Sequence, residues 1–249
     1  MRPFRHVTKT PSPRHGLARV LSKHGVCSRT QAAQWILAGR VAVNGAIVRN
    51  PEYPIVNGQH RVEVDGQSLD GAERVYVMLN KPRGLVTTAK DEHGRDTVYR
   101  CLDGAGLPWL APVGRLDKAS EGLLLFSNDP QWSACITDPA HGLDKTYHVQ
   151  VDTLPTPELL QALQVGLEDE GERLSAKRAM LLRTGTRNAW LEIVLDEGRN
   201  RQIRRLLAAH GVGVLRLIRV RIGDLALGDI PKGGWRKLTE GEVAALRAS

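Results

Sequence analysis

The 249-residue sequence predicts an α+β protein in two parts, a small basic N-terminal unit followed by a larger domain of strands and helices. Three observations carry this. From about residue 75 onward, strand-like and helix-like segments are interleaved without the regular strand–helix–strand rhythm of a doubly wound sheet. Two short helical patterns run directly into Asn44-Gly45 between apolar runs, the strongest short-range hairpin signal. Residues 1–75 hold eleven Lys/Arg against five Asp/Glu, so six of the eight net positive charges lie in the first third of the chain. A basic balance of this size favours a polyanionic partner such as nucleic acid.

Residues 1–14 are polar, basic and proline-containing and read as a disordered arm without the apolar stretch of a signal peptide. Leu17, Val20 and Leu21 then repeat at helical spacing up to Gly25. Ser28 and Gln31 stand as a capping box opening a second helix to about Ala38, with Gly39 suited to its C-terminal cap. Val41–Val43 and Ala46–Val48 form the hairpin, and Arg61–Val64 supplies another strand. Residues 63–74, polar and glycine-containing, read as a linker. Strands are expected at Val75–Leu79, Leu123–Phe126, Thr146–Val151, Trp190–Leu195 and Val214–Ile222. Helices are expected at Pro157–Val165, Asn200–His210 and Thr239–Leu246, the last opening on a Thr239/Glu242 capping box.

Several function classes lose their usual support. There is no G-x-x-x-x-G-K-[ST] loop, G-x-S-x-G elbow, H-E-x-x-H or G-x-G-x-x-G after a strand. Cys27, Cys101 and Cys135 are far apart and form no C-x-x-C pair, so neither a zinc site nor a disulfide framework is indicated and a reducing cytoplasm is expected. No apolar run approaches the roughly 18 residues of a membrane span.

What stands out is Gly114-Arg-Leu-Asp117-Lys-Ala-Ser-Glu-Gly122-Leu-Leu-Leu-Phe-Ser-Asn128-Asp129, a carboxylate between glycines immediately before an apolar strand. Loops on a rigid strand scaffold are where active groups usually lie. The string resembles the G-R-L-D-x-x-[ST]-x-G-L-L motif of the ribosomal RNA pseudouridine synthases of the Rsu type. Leu79-Asn-Lys-Pro-Arg-Gly84 before it, and Lys145-Thr-Tyr147-His-Val-Gln-Val151 and Glu197-Gly-Arg-Asn-Arg-Gln-Ile-Arg204-Arg205 after it, agree with the same family in order. The run Leu17-Ala-Arg-Val-Leu-Ser-Lys-His-Gly-Val-Cys-Ser-Arg29 resembles the alpha-L RNA-binding domain of a small-subunit ribosomal protein over residues 15–62.

The resemblance implies a catalytic domain at residues 75–249 with a mixed, largely antiparallel sheet, flanking helices and an active cleft across it. It implies isomerisation of a uridine in ribosomal RNA, with a leaning to 23S from Gly233-Gly-Trp235 and Gly198–Arg204. Asp117 is then the catalytic group, as nucleophile or base; glycoside hydrolysis would usually pair two carboxylates, and the only second one in the motif is Glu121. Tyr147 stacks on the extruded base. Arg204 pairs with Asp117 and holds it ionised. Arg115 positions the loop or contacts a phosphate. Arg199, Arg201 and Arg205, with Arg19, Lys23, Arg29 and Arg40 in the N-terminal domain, contact phosphates without reading bases. No metal, redox cofactor or nucleotide cofactor is expected. The expected partner is ribosomal RNA or a pre-ribosomal particle, met in the cytoplasm by a monomer with no membrane association. The competing reading is a non-catalytic RNA-binding or ribosome-assembly factor on the same fold.

Overall fold

A computed structural model of the chain describes residues 14–56, 59–69, 73–88 and 94–248, and its contacts divide into two units at Glu73/Arg74. The expected arm therefore lies outside the described residues except for Arg14, which opens a short strand.

The N-terminal unit runs β1 (Arg14–Gly16), α1 (Leu17–Lys23), α2 (Arg29–Leu37), β2 (Val41–Val43), β3 (Ala46–Ile47), β4 (Pro54–Val56), β5 (Val62–Val64) and β6 (Gln67–Ser68). Ser28 caps α2, its side chain accepting from the Gln31 amide at 3.2 Å. Leu17 and Leu21 of α1 meet Ala32 and Ile36 of α2 over Val41, Ile55 and Val62 in a closed apolar core. The sheet order is β3-β2-β5-β6, with β1 paired to β4. Asn44 (φ 52°) and Gly45 (φ 82°) turn the first hairpin, as Asp65 (φ 49°) and Gly66 (φ 80°) turn the β5–β6 hairpin. Two positive φ angles in succession match the right-handed twist of the flanking strands. This second hairpin corrects the linker expected from residue 63: residues 62–69 belong to the N-terminal sheet, and Leu69 is in its core.

The second unit is built on one nine-stranded sheet. Its elements are β7 (Tyr76–Lys81), β8 (Ala111–Val113), β9 (Glu121–Ser127), α3 (Pro130–Thr137), β10 (Lys145–Val151), α4 (Pro157–Val165), β11 (Leu167–Asp169), β12 (Glu172–Leu174), β13 (Arg178–Thr184), β14 (Ala189–Leu195), α5 (Gln202–Ala208), β15 (Val214–Ile222), β16 (Leu225–Ala226), β17 (Trp235–Lys237) and α6 (Glu240–Ala248). The order is β13-β14-β10-β15-β9-β7-β17, with β8 on β9 and β16 on β15. β11 and β12 form a separate hairpin. Among the strand pairs described in this sheet only β15–β9 is parallel, so the sheet is mixed and largely antiparallel.

The unbroken apolar run of β9 follows from burial on both faces. Leu124 and Phe126 join a core with α4 (Leu163) and α5 (Ile203, Leu206, Leu207), while Leu123 and Leu125 join another with α3 (Trp132, Ile136) and α6 (Leu246). α6 carries the expected capping box in full: the Thr239 amide donates to Glu242 at 2.8 Å and the Glu242 amide donates to Thr239 Oγ1 at 3.2 Å. α3 was not expected from sequence, although Asp129-Pro130 is a readable start: the Asp129 carboxylate accepts from the Gln131 and Trp132 amides at 3.0 and 3.2 Å. Among the described residues no helix is long and apolar enough to cross a membrane.

Candidate active site

The loop between β8 and β9 carries Asp117, and parts of the chain distant in sequence hold it by its backbone. The Thr87 hydroxyl donates to the Leu116 carbonyl at 2.7 Å, and the Gly84 amide donates to that of Lys118 at 2.8 Å. Lys81, fully buried at the end of β7, donates Nζ to the carbonyls of Ser120 (2.8 Å), Asp117 (3.1 Å) and Pro82 (3.1 Å). Burial pulls its pKa down to about 8, opposed chiefly by the charge of Asp117. A lysine whose three donors all meet carbonyls can be tolerated inside the protein.

The loop's far end enters β9, where Glu121 and Gly122 lie beside Ile218 and Arg219 of β15. Glu121 is buried and held by Arg216, whose Nε and Nη2 reach its two oxygens at 3.0 and 2.9 Å, and by Lys232 at 2.9 Å. Those hydrogen bonds, Arg216 first, hold its pKa down near 2. Glu121 is therefore ionised throughout the neutral range and is no second acid for Asp117. It is instead an anchor for the loop.

A stability consequence follows by linkage. The folded pKa of Glu121 lies below its ordinary value of 4.5, so its contribution is fully present above pH 4.5 and disappears as pH falls towards 2. The shift corresponds to about 3 kcal/mol. In acid titrations followed by circular dichroism, wild type is expected to lose this increment between about pH 4.5 and 2. Glu121→Gln should be less stable at pH 7 by about 3 kcal/mol, with the deficit shrinking over that window. Equal stability of the two proteins at pH 7 would contradict the anchoring role.

The Asp117 carboxylate opens on a cleft of about 240 Å³ lined by Lys145, Tyr147, Arg201, Leu217 and Arg219 among others. Tyr147 is nine-tenths buried on β10 and lies between Ile193 of β14 and Arg219 of β15. The cation paired with Asp117 is Arg201, Nη1 to Oδ2 at 4.0 Å. Arg201 has φ 49°, a left-handed conformation that costs about 1–2 kcal/mol for a residue with a Cβ. The other three non-glycine residues with positive φ among the described residues, Asn44, Asp65 and Glu170, each precede a glycine in a hairpin turn. Arg201 precedes Gln202 and caps α5. Such sparsely populated backbone conformations persist only where the surrounding structure holds them.

This arrangement corrects the direct pairing expected of Arg204. Arg204 lies half-buried behind the loop, its Nη2 donating to the Ala119 carbonyl and its Nη1 to that of Val214, each at 3.4 Å. Burial and the neighbouring Arg201 charge lower its pKa, with Asp117 opposing. Its Nε has no hydrogen-bond partner among the described residues. Because α5 begins at Gln202 rather than Asn200, Arg201 swings to Asp117 and Arg204 points back under the loop.

Arg205 is likewise corrected. It is mostly buried and tied to Asp169 (2.5 Å), Glu172 (2.7 Å) and Glu170 (3.6 Å), fastening the β11–β12 hairpin to α5 rather than facing a phosphate. Arg199 is engaged by Glu197 at 2.9 Å and Glu172 at 3.4 Å. Arg115 is exposed on the cleft wall.

In the N-terminal unit Arg40 is committed to Asp65 at 2.5 Å and stacks on Trp35 at 4.7 Å, and Arg29 is 3.9 Å from Glu52. Arg19 and Lys23 are exposed on α1. Sequence reasoning gave Lys81, Lys145 and Arg219 no role. The signal for Arg219 was present: a strand as apolar as Val214–Ile222 that spends three positions on arginine.

Among the described residues no group of three or more His, Cys, Asp or Glu could hold a metal ion. Asp117 and Glu197 are the acidic residues of a cleft whose basic residues are Arg115, Lys145, Arg199, Arg201 and Arg219, in a unit preceded by a basic helix–hairpin unit. The sequence model of a family described as RNA pseudouridylate synthase matches residues 75–209, and that of the S4 domain matches residues 16–60. The ribosomal large subunit pseudouridine synthase B of Bacillus subtilis is 37% identical over 93% of this chain and 95% of its own. An uncharacterised RNA pseudouridine synthase of Aquifex aeolicus is 36% identical over 92% of each chain. A crystal structure of a pseudouridylate synthase superposes with a TM-score of 0.64 at 32% identity, over 94% of this chain and all of that one. The chain belongs to the RNA pseudouridylate synthase family. It is an RNA pseudouridine synthase, an isomerase, rather than the non-catalytic factor the sequence also allowed.

Proposed function

We propose that this enzyme converts a specific uridine of ribosomal RNA, in the 23S molecule, to pseudouridine, with Asp117 as its catalytic group. The observation that carries the reading is the carboxylate itself: Asp117 is fixed by its backbone, open to the cleft and faced by Arg201 at 4.0 Å. Glu121 cannot serve as a proton donor beside it. The reaction fits one carboxylate. The bond from ribose C1′ to uracil N1 breaks, the base rotates, C5 bonds to C1′, and the hydrogen leaving C5 is balanced by one gained at N1. No water is consumed and no electron is transferred, so a second carboxylate to activate water has no task.

Asp117 acts on the ribose side as nucleophile or base, Arg201 supports its negative charge, and Tyr147 offers an aromatic wall for the extruded base. Arg204 and Lys81 keep the loop in place from behind. Arg19 and Lys23, on the exposed face of α1, contact RNA phosphates, while Arg115 does so at the cleft. Support for the large-subunit substrate comes from the name of the Bacillus subtilis relative and its near full-length match. The enzyme acts as a monomer in the cytoplasm, on free ribosomal RNA or a pre-ribosomal particle.

Mapping pseudouridines in ribosomal RNA of cells lacking this protein tests the substrate. One 23S pseudouridine is expected to vanish and to return with wild-type protein. Loss of a 16S site instead, or an unchanged map of both molecules, would contradict the proposal.

A further inference from the structure

We propose that Arg219 and Lys145 form a phosphate-binding subsite inside the cleft, which holds the extruded nucleotide by its phosphodiester while Tyr147 takes its base. This rests on the reading of the cleft as the site of an RNA nucleotide, and adds to it a recognition element on β10 and β15.

Arg219 is the starting point. It is 6% exposed, yet it lines the cleft. Its Nε donates to the Leu123 carbonyl at 2.8 Å, and its Nη2 has no hydrogen-bond partner among the described residues. Among the described residues no carboxylate lies within ion-pair distance of it. A buried guanidinium normally has an acid partner, because taking a charge out of water unpaired is costly. Arg201 and Arg199, on the same cleft wall, have Asp117 and Glu197 respectively.

Lys145 repeats the pattern. Its pKa is pulled down first by burial and then by the positive charge of Arg219. Asp144 and Asp196 oppose this, but Asp144 already accepts from Lys177 at 2.8 and 2.9 Å. Two desolvated cations that disfavour each other, neither in an ion pair with a carboxylate among the described residues, make a site that an anion would complete.

The backbone is arranged to build it. Between Thr146 and Tyr147 the β10–β15 register skips a residue: Thr146 pairs with Arg221 and Tyr147 with Arg219, leaving Val220 as the extra residue of a bulge. Bulges re-aim side chains next to functional sites. This one brings Arg219 level with Tyr147, where a base is expected to stack. The anion nearest a base in RNA is the phosphodiester of its own nucleotide. A uracil carbonyl is a neutral acceptor and would leave both cations uncompensated.

The test is a comparison of uridine, uridine 5′-monophosphate and uridine 3′-monophosphate binding to the full-length protein by calorimetric or NMR titration. One monophosphate is expected to bind the wild type roughly 10- to 100-fold more tightly than uridine, the range for charge-assisted hydrogen bonds. Arg219→Gln should bring that ratio close to one, and Lys145→Gln should lower it several-fold. Arg201→Gln should preserve it. Absence of a phosphate preference in wild type, or a preference that survives Arg219→Gln and disappears in Arg201→Gln, would overturn the subsite. Should Arg219→Gln fail to fold, the wild-type ratio and Lys145→Gln, at a less buried position, decide the matter. Wild type that forms pseudouridine in ribosomal RNA yet shows no phosphate preference overturns the subsite alone. Wild type that forms none overturns the functional reading instead.

Discussion

Asp117→Asn is expected to slow pseudouridine formation by more than about 10⁴-fold, the loss usual when an enzyme's single nucleophile or base is removed. Asparagine preserves the size of the side chain and removes the anionic oxygen that either role needs. The fold should hardly respond. The Asp117 side chain is 38% exposed, and what ties residue 117 into the molecule is its main-chain carbonyl, bonded to Lys81 and to the Ser120 amide. Thermal stability should therefore stay within about 0.5 kcal/mol of wild type. RNA affinity should be unchanged or higher, because a negative charge leaves a cleft lined by Lys145, Arg201 and Arg219. Single-turnover kinetics at saturating RNA separates chemistry from binding, and a near-wild-type rate there would remove Asp117 from the centre of the mechanism.

Gly122→Ala is expected to be the most damaging single methyl in the catalytic unit. An added Cβ would sit 2.2 Å from the Arg219 carbonyl oxygen and 2.9 Å from its amide nitrogen. Both are backbone atoms of the neighbouring strand and cannot rotate away. The residue also has φ 99°, which a side chain disfavours. The clash would force apart β9 and β15, which join through Glu121 and Gly122 and carry the Asp117 loop and Arg219 respectively. A loss of about 4 kcal/mol or more and a fall in Tm of about 10 °C are expected. Gly45→Ala provides the control. Gly45 also has positive φ, but nothing lies within 4 Å of its would-be Cβ, so it should cost only about 1–2 kcal/mol. Similar losses in the two variants would mean that backbone conformation, not the close approach of β9 and β15, sets the requirement for glycine.

Much of the fold was legible because local chemistry and tertiary role coincide. Ser28 and Thr239 cap the helices their spacing announces, and Asn44-Gly45 turns the hairpin it signals. Leu123–Phe126 is apolar at every position because opposite faces enter different cores. Asp65-Gly66 offers the same turn chemistry as Asn44-Gly45, but Gln67-Ser68 beyond it is polar, so the hairpin was read as a linker.

The surroundings of Asp117 were less legible than the fold. A continuous helix from Asn200 would put Arg201 and Arg204 one turn apart on one face, where spacing cannot rank them. What separates them is the left-handed turn at Arg201, a conformation adopted by a residue type that gives no warning of it. The neutralisation of Arg205 was invisible for another reason. Its acids, Asp169, Glu170 and Glu172, lie more than thirty residues away in a short, polar hairpin with no alternating pattern. Lys81, part of a motif in the sequence, gains its role from three carbonyls that fold around it, two of them from the Asp117 loop.

The central claim, that Asp117 isomerises uridine in large-subunit ribosomal RNA, is tested most directly with purified protein and purified RNA. Wild type and Asp117→Asn are each incubated with 23S and 16S ribosomal RNA from cells lacking the protein, and pseudouridine is quantified at each position over one turnover. The expected result is a new pseudouridine at one uridine of 23S RNA with wild type, none in 16S RNA and none in either with Asp117→Asn. Equal pseudouridine formation by the two proteins, or none by wild type on either RNA, would contradict it.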